Sequence, residues 1–169
     1  MSTTVELANP ISPEDAAEIA GWGTDLAGVG FLHLVWRPKE QHVLVRAGGR
    51  LVSRAGLLKH PLSLSGRSRM MAGVGGVVAR PDSRRRGYAR TALTRAHDTM
   101  CGEWNADFGL LFCLPALESF YRCLGWWAVD PVIIDQPTGA VAAPLLTMVH
   151  TCKDLAWPSQ EVKLGSLPW

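Results

Sequence analysis

The sequence lacks several features that would place it in other classes of protein. No apolar run approaches the ~18 residues needed to cross a membrane. The first ten residues lack the basic region and apolar core of a secretory signal. No Walker pattern occurs, and the glycines from Gly73 onward fail the dinucleotide pattern G-x-G-x-x-G because Val78 stands at its last position. The expectation from these absences is a cytoplasmic protein that does not span a membrane.

The sequence also lacks the cysteine spacings that are typical of metal and redox sites. The chain has four cysteines, with no C-x-x-C pair and no histidine at zinc spacing. Three of the four stand in apolar surroundings, which favours buried free thiols and agrees with a reducing compartment. The sequence therefore predicts no metal site.

Length and composition indicate an ordinary folded domain. The chain has 169 residues, of which 47% are hydrophobic and 19% charged. That length suits a single domain over residues 1–169 with a substantial core. There are no internal repeats, and no linker is long enough to separate two domains.

One stretch, from Gly73 to Met100, carries most of the chemical information. Val74 to Ala79 is apolar and β-branched, as in a buried strand, and Pro81 ends it. Three arginines and Gly87 follow, and apolar residues then recur at helical spacing. A helix N-terminus offers unpaired N–H groups, and the arginines add positive charge. This order of strand, basic turn and helix predicts a polyphosphate site.

The same residues resemble a known family. Arg84-Arg85-Arg86-Gly87-Tyr88-Ala89 is similar to the Arg/Gln-x-x-Gly-x-Gly/Ala signature of the GNAT superfamily of acyl-CoA-dependent N-acetyltransferases. Leu117 to Trp126 resembles the later Phe-Tyr-x-x-x-Gly-Phe segment of that family, with Trp126 in the aromatic place. The resemblance covers about a third of the chain.

The resemblance implies a fold and a cofactor. The fold class is α+β, with a mixed, mostly antiparallel central sheet flanked by helices and a splayed strand pair that holds acetyl-CoA (coenzyme A). The implied cofactor-binding residues are Val77, Val78, Ala79, Arg84, Arg85, Arg86, Gly87, Tyr88 and Ala89.

Two other interpretations of the arginine loop stay open. A run of arginines also forms solvated faces and nucleic-acid sites, although the formal net charge of +2 supports a nucleic-acid-binding module only weakly. The other alternative is a degenerate GNAT domain that binds coenzyme A and transfers nothing.

Direct transfer from a thioester to an amine needs a neutral amine, a stabilised oxyanion and a proton for the departing thiolate. The resemblance implies that Tyr121 supplies the proton and that a backbone N–H near Val78 or Ala79 binds the oxyanion. Many family members carry a glutamate on the central strand as the base, but Gly75 occupies that place here. No acidic residue lies between Arg69 and Pro81, so the base is left unassigned.

The acceptor is expected to be a primary amine of a small molecule. In the family the early region helps to form the acceptor pocket, so Trp22, His33 and Trp36 are candidates to line it, each against the alternative of ordinary packing. The C-terminal Gly-Ser-Leu-Pro-Trp segment loosely resembles the tail of aminoglycoside 2'-N-acetyltransferases, which implies a carboxylate of Trp169 at the acceptor site and an aminoglycoside-like substrate, hence a role in antibiotic resistance.

Two readings of the tail compete with this one. A Trp-Pro-Ser stretch near the C-terminus is similar to the nodulation acyltransferase group, and an apolar tail that only packs on the body is as plausible. Nucleic acid and membrane are not expected as partners, and a homodimer is left open.

Local patterns predict the remaining elements. Ser12 and Pro13 indicate the start of a helix, and Gly48-Gly49 closes a hairpin. Residues 61–66 read as a turn, Phe108 to Cys113 as a buried strand, and residues 115–124 as a helix. Residues 129–134 and 145–149 read as a final strand pair.

Overall fold

The central feature of the molecule is a seven-stranded sheet with helices and the C-terminal segment against its faces. The structure is a computed structural model that describes residues 2–169. Within them the strands are β1 (Thr3–Ala8), β2 (Gln41–Ala47), β3 (Arg50–Leu64), β4 (Arg67–Ala79), β5 (Phe108–Cys113), β6 (Trp127–Val129), β7 (Ile133–Gln136), β8 (Gly139–Ala142) and β9 (Leu146–Thr151). The α-helices are α1 (Pro13–Ala20), α2 (Tyr88–His97) and α3 (Glu118–Arg122). Short 3-10 turns lie at Gly30–Leu32, Pro81–Ser83 and Pro115–Leu117, and a π-helical turn at Asp98–Glu103.

The order of strands in the sheet is β1-β2-β3-β4-β5-β9-β6. All neighbours are antiparallel except β4 and β5, which run parallel. Strands β7 and β8 form a separate two-stranded hairpin. This is the mixed α+β architecture with a mostly antiparallel sheet that the family resemblance implies, so the predicted fold class is confirmed.

Two hydrophobic clusters lie on opposite faces of the sheet, because side chains alternate between the faces of each strand. Val74 of β4 belongs to the cluster that includes Leu93 and Met100 from the helical side. Met71 belongs to the other cluster, together with Leu58 and Trp169. The C-terminal segment therefore covers the face of β4 that helix α2 does not.

Several local predictions are confirmed. The Ser12 hydroxyl accepts a hydrogen bond of 3.0 Å from the Asp15 N–H, which caps α1 and stabilises such a helix by ~1 kcal/mol. The hairpin of β2 and β3 turns at two glycines, Gly48 and Gly49, both with positive φ. Strand β5 has the predicted bounds, and α2 begins directly after Gly87.

Three predictions of secondary structure are wrong or incomplete. Strand β1 was not predicted. Residues 61–64 continue β3 rather than turning, because β2 pairs with β3 only as far as Leu57, and Pro61 lies on the edge beyond it, where a missing N–H is tolerated. The expected final strand pair does not form: β6 pairs with β9, and residues 133–136 pair instead with residues 139–142.

The prediction of free thiols is also wrong for two cysteines. Cys101, in the π-helical turn after α2, and Cys152, just past β9, form a disulfide. They lie 51 residues apart in sequence, so no local spacing reveals the pair. Cys113 is free and buried, and Cys123 is free and exposed. The argument from free thiols to a reducing compartment therefore no longer holds, and the cytoplasmic location stays a prediction.

No helix among residues 2–169 is both long and apolar enough to cross a lipid bilayer.

Candidate active site

A cleft opens in the sheet where β4 and β5 separate. The parallel pairing between these strands ends at Gly73 and Leu110, and both strands continue beyond that point. The space between them is a cavity of about 420 Å³ walled by residues 74–79 of β4 and by 111–114 at the end of β5. The β5-facing edge of β4 is thus unpaired, and an extended ligand arm can hydrogen-bond to it as a neighbouring strand would.

The wall of the cleft is irregular at Gly76. The register of β3 and β4 shifts between Arg54 and Gly56, which is a β-bulge opposite this part of β4. Gly76 has a φ of 58°, a left-handed conformation that residues with a Cβ rarely adopt. The bulge bends β4 next to the point where its pairing with β5 ends.

A second cavity of about 380 Å³ lies over the turn that leads into α2. Its walls include Val77 and Ala79 of β4 and the residues Ser83, Arg84, Arg85, Gly87, Tyr88, Ala89 and Arg90. Gly87 has a φ of 83° and stands at the N-cap of α2, where no side chain caps the helix. A Cβ at Gly87 would meet no atom within 4 Å, so the space in front of the first helical N–H groups is open. Such a helix N-terminus with two arginines can bind a phosphate.

Most of the residues predicted to bind the cofactor therefore come together. Val78 lines the cleft rather than the second cavity. Arg86 is exposed and lines neither cavity.

Tyr121 of α3 lies at the junction of the two cavities and lines both of them. The side chain is buried, with Phe120 and Trp126 packed edge-on against its ring. Burial, and next the neighbouring Cys113, raise the pKa of the Tyr121 phenol well above its ordinary range. The phenol therefore keeps its proton at neutral pH and is available as a hydrogen-bond and proton donor to a departing sulfur.

Cys113 also lines the cleft, and its chemistry bears on the type of reaction. Burial, followed by the charge of Glu118, raises the pKa of the Cys113 thiol to about 11. A thiol with this pKa is protonated at neutral pH and is a poor nucleophile. The cleft thus offers a proton donor and no activated cysteine that would accept an acyl group.

The other face of β4 is filled at Gly75, where the sequence resemblance led us to expect a glutamate. A Cβ on Gly75 would lie 2.7 Å from the main-chain carbonyl carbon of Trp169 and 2.7 Å from Cε of Lys39. A Cβ on Gly73 would lie 2.5 Å from the Trp169 indole. The indole N–H donates a hydrogen bond of 2.9 Å to the Leu110 carbonyl, and only 2% of Trp169 is exposed. The two glycines thus make the groove in which Trp169 lies.

Lys39 and Arg54 bring positive charge to this face. Lys39 Nζ donates to the Arg37 carbonyl at 3.2 Å, and Arg54 Nε donates to His42 Nδ1 at 3.1 Å. Among residues 2–169 neither cation has a carboxylate within 4.0 Å. Burial and the charge of Arg54 lower the pKa of Lys39 to about 8, and burial with both cations lowers the pKa of His42 to about 4. His42 is therefore neutral at pH 7 and accepts the Arg54 hydrogen bond.

The candidates for the acceptor pocket from the early region do not line the cleft. Trp22 packs with Ile19, Leu44 and Leu51, and its indole N–H is buried without a hydrogen-bond partner among the described residues. His33 is exposed at the end of a 3-10 turn, and Trp36 is half-buried. The early region instead contributes Leu26, Ala27 and Val29 to the cleft wall.

Sequence reasoning missed Lys39 and Arg54. Lys39 lies in the irregular segment before β2, where no periodic pattern indicates which side chains point inward. The one available signal was the spacing of Gly73 and Gly75, two residues apart and therefore on one face of β4. Such a pair marks a place where another segment approaches the strand closely.

The family of the chain follows from comparison with known proteins. A family model described as Acetyltransferase (GNAT) domain matches residues 31–129, which is more than half of the chain. The chain therefore belongs to the GNAT acetyltransferase family. No curated protein matches the sequence.

Solved structures of GNAT proteins share the fold. The structure of the GNAT family N-acetyltransferase YhbS from Escherichia coli in complex with CoA matches with a TM-score of 0.64 and 15% identity, covering 99% of this chain and 89% of that one. An acyl-CoA N-acyltransferase from Pseudomonas aeruginosa matches with a TM-score of 0.62 and 17% identity, covering 89% and 100%. The ribosomal-protein-S18-alanine N-acetyltransferase from Escherichia coli matches with a TM-score of 0.59 and 12% identity, covering 90% and 97%.

Proposed function

We propose that the protein transfers an acetyl group from acetyl-CoA directly to a primary amine. The observation that carries the proposal is the continuity of three features: the unpaired edge of β4, the open basic turn at Gly87, and Tyr121 between them. Acetyl-CoA would supply an activated acyl thioester. Membership of the GNAT family supports acetyl-CoA as the donor, and a related structure was solved in complex with CoA.

Each part of the site has a role in this proposal. The N–H groups after Gly87, with Arg84 and Arg85, bind the pyrophosphate. The free edge of β4 over residues 77–79 binds the pantetheine amides, and one of its N–H groups stabilises the oxyanion. Tyr121 donates its proton to the leaving sulfur when the carbon–sulfur bond breaks. The raised pKa of the Cys113 thiol favours direct transfer over an acyl-cysteine route.

Trp169 is proposed to help bind the acceptor. Its main-chain carbonyl group lies against Gly75. A carbonyl oxygen there can accept a hydrogen bond from the acceptor ammonium and orient the amine. The Trp169–Leu110 hydrogen bond and the Arg37 N–H, which donates to the Pro168 carbonyl at 2.7 Å, hold the segment in place.

Trp169→Phe tests this role, because it keeps an aromatic ring in the groove and removes the hydrogen bond to Leu110 that positions the carbonyl group. The variant should bind acetyl-CoA normally and show a higher acceptor KM or a lower kcat. Unchanged kinetics in a variant that melts at the wild-type temperature would leave Trp169 with a packing role only.

The charges beside the cleft bear on the class of acceptor. Lys39 and Arg54 lie against Gly75 and Gly76, which form part of the cleft wall, and neither cation has a carboxylate partner within 4.0 Å. Two cations repel a polycationic acceptor and attract an anionic group. We therefore propose an amine that also carries a carboxylate or another anion. An aminoglycoside-like acceptor, the expectation from the tail, has no support from the family match or the related structures.

A thiol-release assay against a panel of amines tests the reaction and the acceptor together. The panel should pair each α-amino acid with the amine formed by its decarboxylation, and should include an aminoglycoside. In each pair we expect the amino acid, which carries the carboxylate, to give a kcat/KM roughly tenfold above that of the decarboxylated amine. One charge-assisted hydrogen bond accounts for a difference of this size. Preference for the aminoglycoside would overturn the anionic-acceptor proposal.

Binding experiments separate the remaining alternatives. Acetyl-CoA should raise the melting temperature by mass action in both an active and a degenerate GNAT domain. Acetyl-CoA binding without thiol release for any amine would favour the degenerate GNAT domain, which binds coenzyme A and transfers nothing. Oligonucleotide binding with a steep salt dependence, and no response to acetyl-CoA, would instead favour a nucleic-acid module.

A further inference from the structure

A cluster of sulfur and imidazole groups lies outside the proposed active site. Cys101, Cys152 and His150 each place one potential ligand atom within 4.8 Å of the other two. His97 lies beside them, with its ring centroid 3.8 Å from that of His150. All four side chains line an open cavity of about 450 Å³, which shares no residue with the walls of the two proposed cofactor cavities.

The backbone explains why these four residues meet. His97 ends α2 and Cys101 lies in the following π-helical turn, so a spacing of four places both on one side of the helical segment. His150 lies in β9, and Cys152 directly follows the strand with its N–H still donating to the Asp107 carbonyl at 3.1 Å, so a spacing of two along extended backbone places both side chains on one side. The pair His-x-x-x-Cys on a helix and the pair His-x-Cys on a strand therefore point into the same space.

The two histidines have the hydrogen bonding that metal ligands need. His150 Nδ1 lies 2.8 Å from the Gly125 carbonyl oxygen, which can only accept, so Nδ1 carries the proton and Nε2 carries a free lone pair. An N–H bonded to a backbone carbonyl is the usual support of a metal-binding imidazole. His97 Nε2 is buried and has no hydrogen-bond partner among residues 2–169. A buried nitrogen without a partner is unfavourable unless something binds it.

We propose that the reduced protein binds one Zn²⁺ ion through Cys101, Cys152 and His150, and that rotation of the adjacent His97 ring brings the fourth ligand atom to the metal. Two thiolates and two imidazoles are a preferred tetrahedral ligand set for Zn²⁺. In the disulfide form both sulfurs are bonded to each other and the site is closed to metal. A dithiol, which is oxidised to its own disulfide, or a phosphine with one water, which becomes the phosphine oxide, supplies two electrons and two protons and converts the disulfide to two thiols. Zn²⁺ then displaces the two thiol protons to solvent as it binds.

The site would join the end of α2 to β9 in either state, by the disulfide or by the metal. Reduced protein without Zn²⁺ would lose this link. Bound Zn²⁺ stabilises the reduced folded protein by mass action, whereas the oxidised protein gains nothing from it.

Metal binding by the wild-type chain tests the proposal without any substitution. The protein is reduced with a phosphine under argon, and Zn²⁺ is titrated against a chromophoric chelator, with oxidised protein as the control. We expect one tightly bound Zn²⁺ per reduced chain and none per oxidised chain. Co²⁺ should give the visible absorption bands of a tetrahedral thiolate site. Equal, weak Zn²⁺ binding by the reduced and the oxidised protein would mean that the two cysteines form a structural disulfide and no metal site, and would overturn the proposal.

Substitutions assign the ligands. Cys101→Ser, Cys152→Ser and His150→Gln should each weaken Zn²⁺ binding by at least 100-fold, and His97→Gln by roughly 10–100-fold, the range seen for weaker or supporting partners. Cys123→Ser is the matched control, because Cys123 is exposed and free, and it should bind Zn²⁺ like the wild type. Wild-type affinity in His150→Gln, with the same Co²⁺ spectrum, would place the metal elsewhere. Circular dichroism on each variant establishes that it is folded.

Discussion

The two sides of β4 are built differently and serve different parts of the proposed reaction. On the cofactor side the strand has an unpaired edge, and the adjoining turn is open in front of Gly87. On the acceptor side the glycines of the same strand are covered by Trp169 and Lys39, with Arg54 next to them. The cofactor side is mostly backbone from one continuous segment, whereas the acceptor side is made of side chains from three distant segments.

The difference separates a half of the site made of backbone groups from a half made of side chains. Backbone groups and a helix N-terminus bind any molecule with the same phosphates and amides, so many GNAT proteins can use one design for one cofactor. Side chains brought together by the tail and by the segment before β2 can differ from one protein to the next. Substitutions should therefore affect donor binding and acceptor binding separately.

The largest effect should come from Tyr121, which lies on the cofactor side where the two cavities meet. Tyr121→Phe should lower kcat by roughly 10–1,000-fold, the range of general acid catalysis, and leave the acetyl-CoA Kd unchanged. A thiol-release assay measures kcat, and isothermal titration calorimetry measures the Kd.

The control for Tyr121 is Tyr88→Phe. Tyr88 is the other tyrosine of the chain and lines only the cavity over the Gly87 turn. Loss of the Tyr88 hydroxyl should leave kcat within about twofold of the wild-type value, since the proposal gives this hydroxyl no proton to transfer. Wild-type turnover in Tyr121→Phe would mean that water or the amine protonates the sulfur.

The next effect is confined to the cofactor side. Gly87→Val should weaken acetyl-CoA binding by roughly 10–100-fold, because a β-branched residue at a φ of 83° shifts the turn and loses about one charge-assisted hydrogen bond of ~1.5–3 kcal/mol. Isothermal titration calorimetry measures the change.

Gly49→Val is the control for Gly87→Val, because it places the same side chain at a glycine with a similar positive φ. Gly49 has a φ of 79° and lies in the β2–β3 turn, away from both cavities. It should destabilise the fold and leave the Kd for acetyl-CoA unchanged. Equal losses of affinity in the two variants would mean that general destabilisation, and not the phosphate site, is being measured.

A smaller effect is confined to the acceptor side. Lys39→Met keeps the length and apolar stem of the side chain and removes the charge. It should raise the KM of an anionic acceptor about tenfold, as the loss of one charge-assisted hydrogen bond implies, without changing acetyl-CoA binding. Lys59→Met is the control, since Lys59 Nζ lies over the Trp104 ring instead. A raised acetyl-CoA Kd in Lys39→Met would show that the two sides are not separate.

The smallest effect concerns the charge of Lys39 and folding stability. Burial and the charge of Arg54 lower its pKa from 10.5 to about 8, so between these values the unfolded chain holds a proton that the folded protein has lost. Stability then rises with pH across this window, and the cost of the buried charge is largest below pH 8. Urea unfolding at pH 7 to 10 should show a smaller rise in the free energy of unfolding for Lys39→Met than for wild type. Parallel profiles for both proteins would mean that Lys39 is solvated.

How much the sequence predicted depends on how local the cause was. The helix cap at Ser12, the glycine turn of the first hairpin, β5, and the start of α2 each depend on a few adjacent residues. The cofactor turn was predictable for the same reason, since its strand, its arginines and its helix are consecutive. The extended structure of residues 61–64 was not predictable, because it depends on where the pairing of β2 with β3 ends.

Tertiary structure alone decided the rest. Local sequence determined the strand–turn–helix that presents an open N-terminus, because backbone geometry and side-chain periodicity act over a few residues. Only folding brought Trp169 and Lys39 to Gly75, and joined His97 and Cys101 to His150 and Cys152. Contacts between segments tens of residues apart depend on the order of strands in the sheet, and no spacing within a single segment records that order.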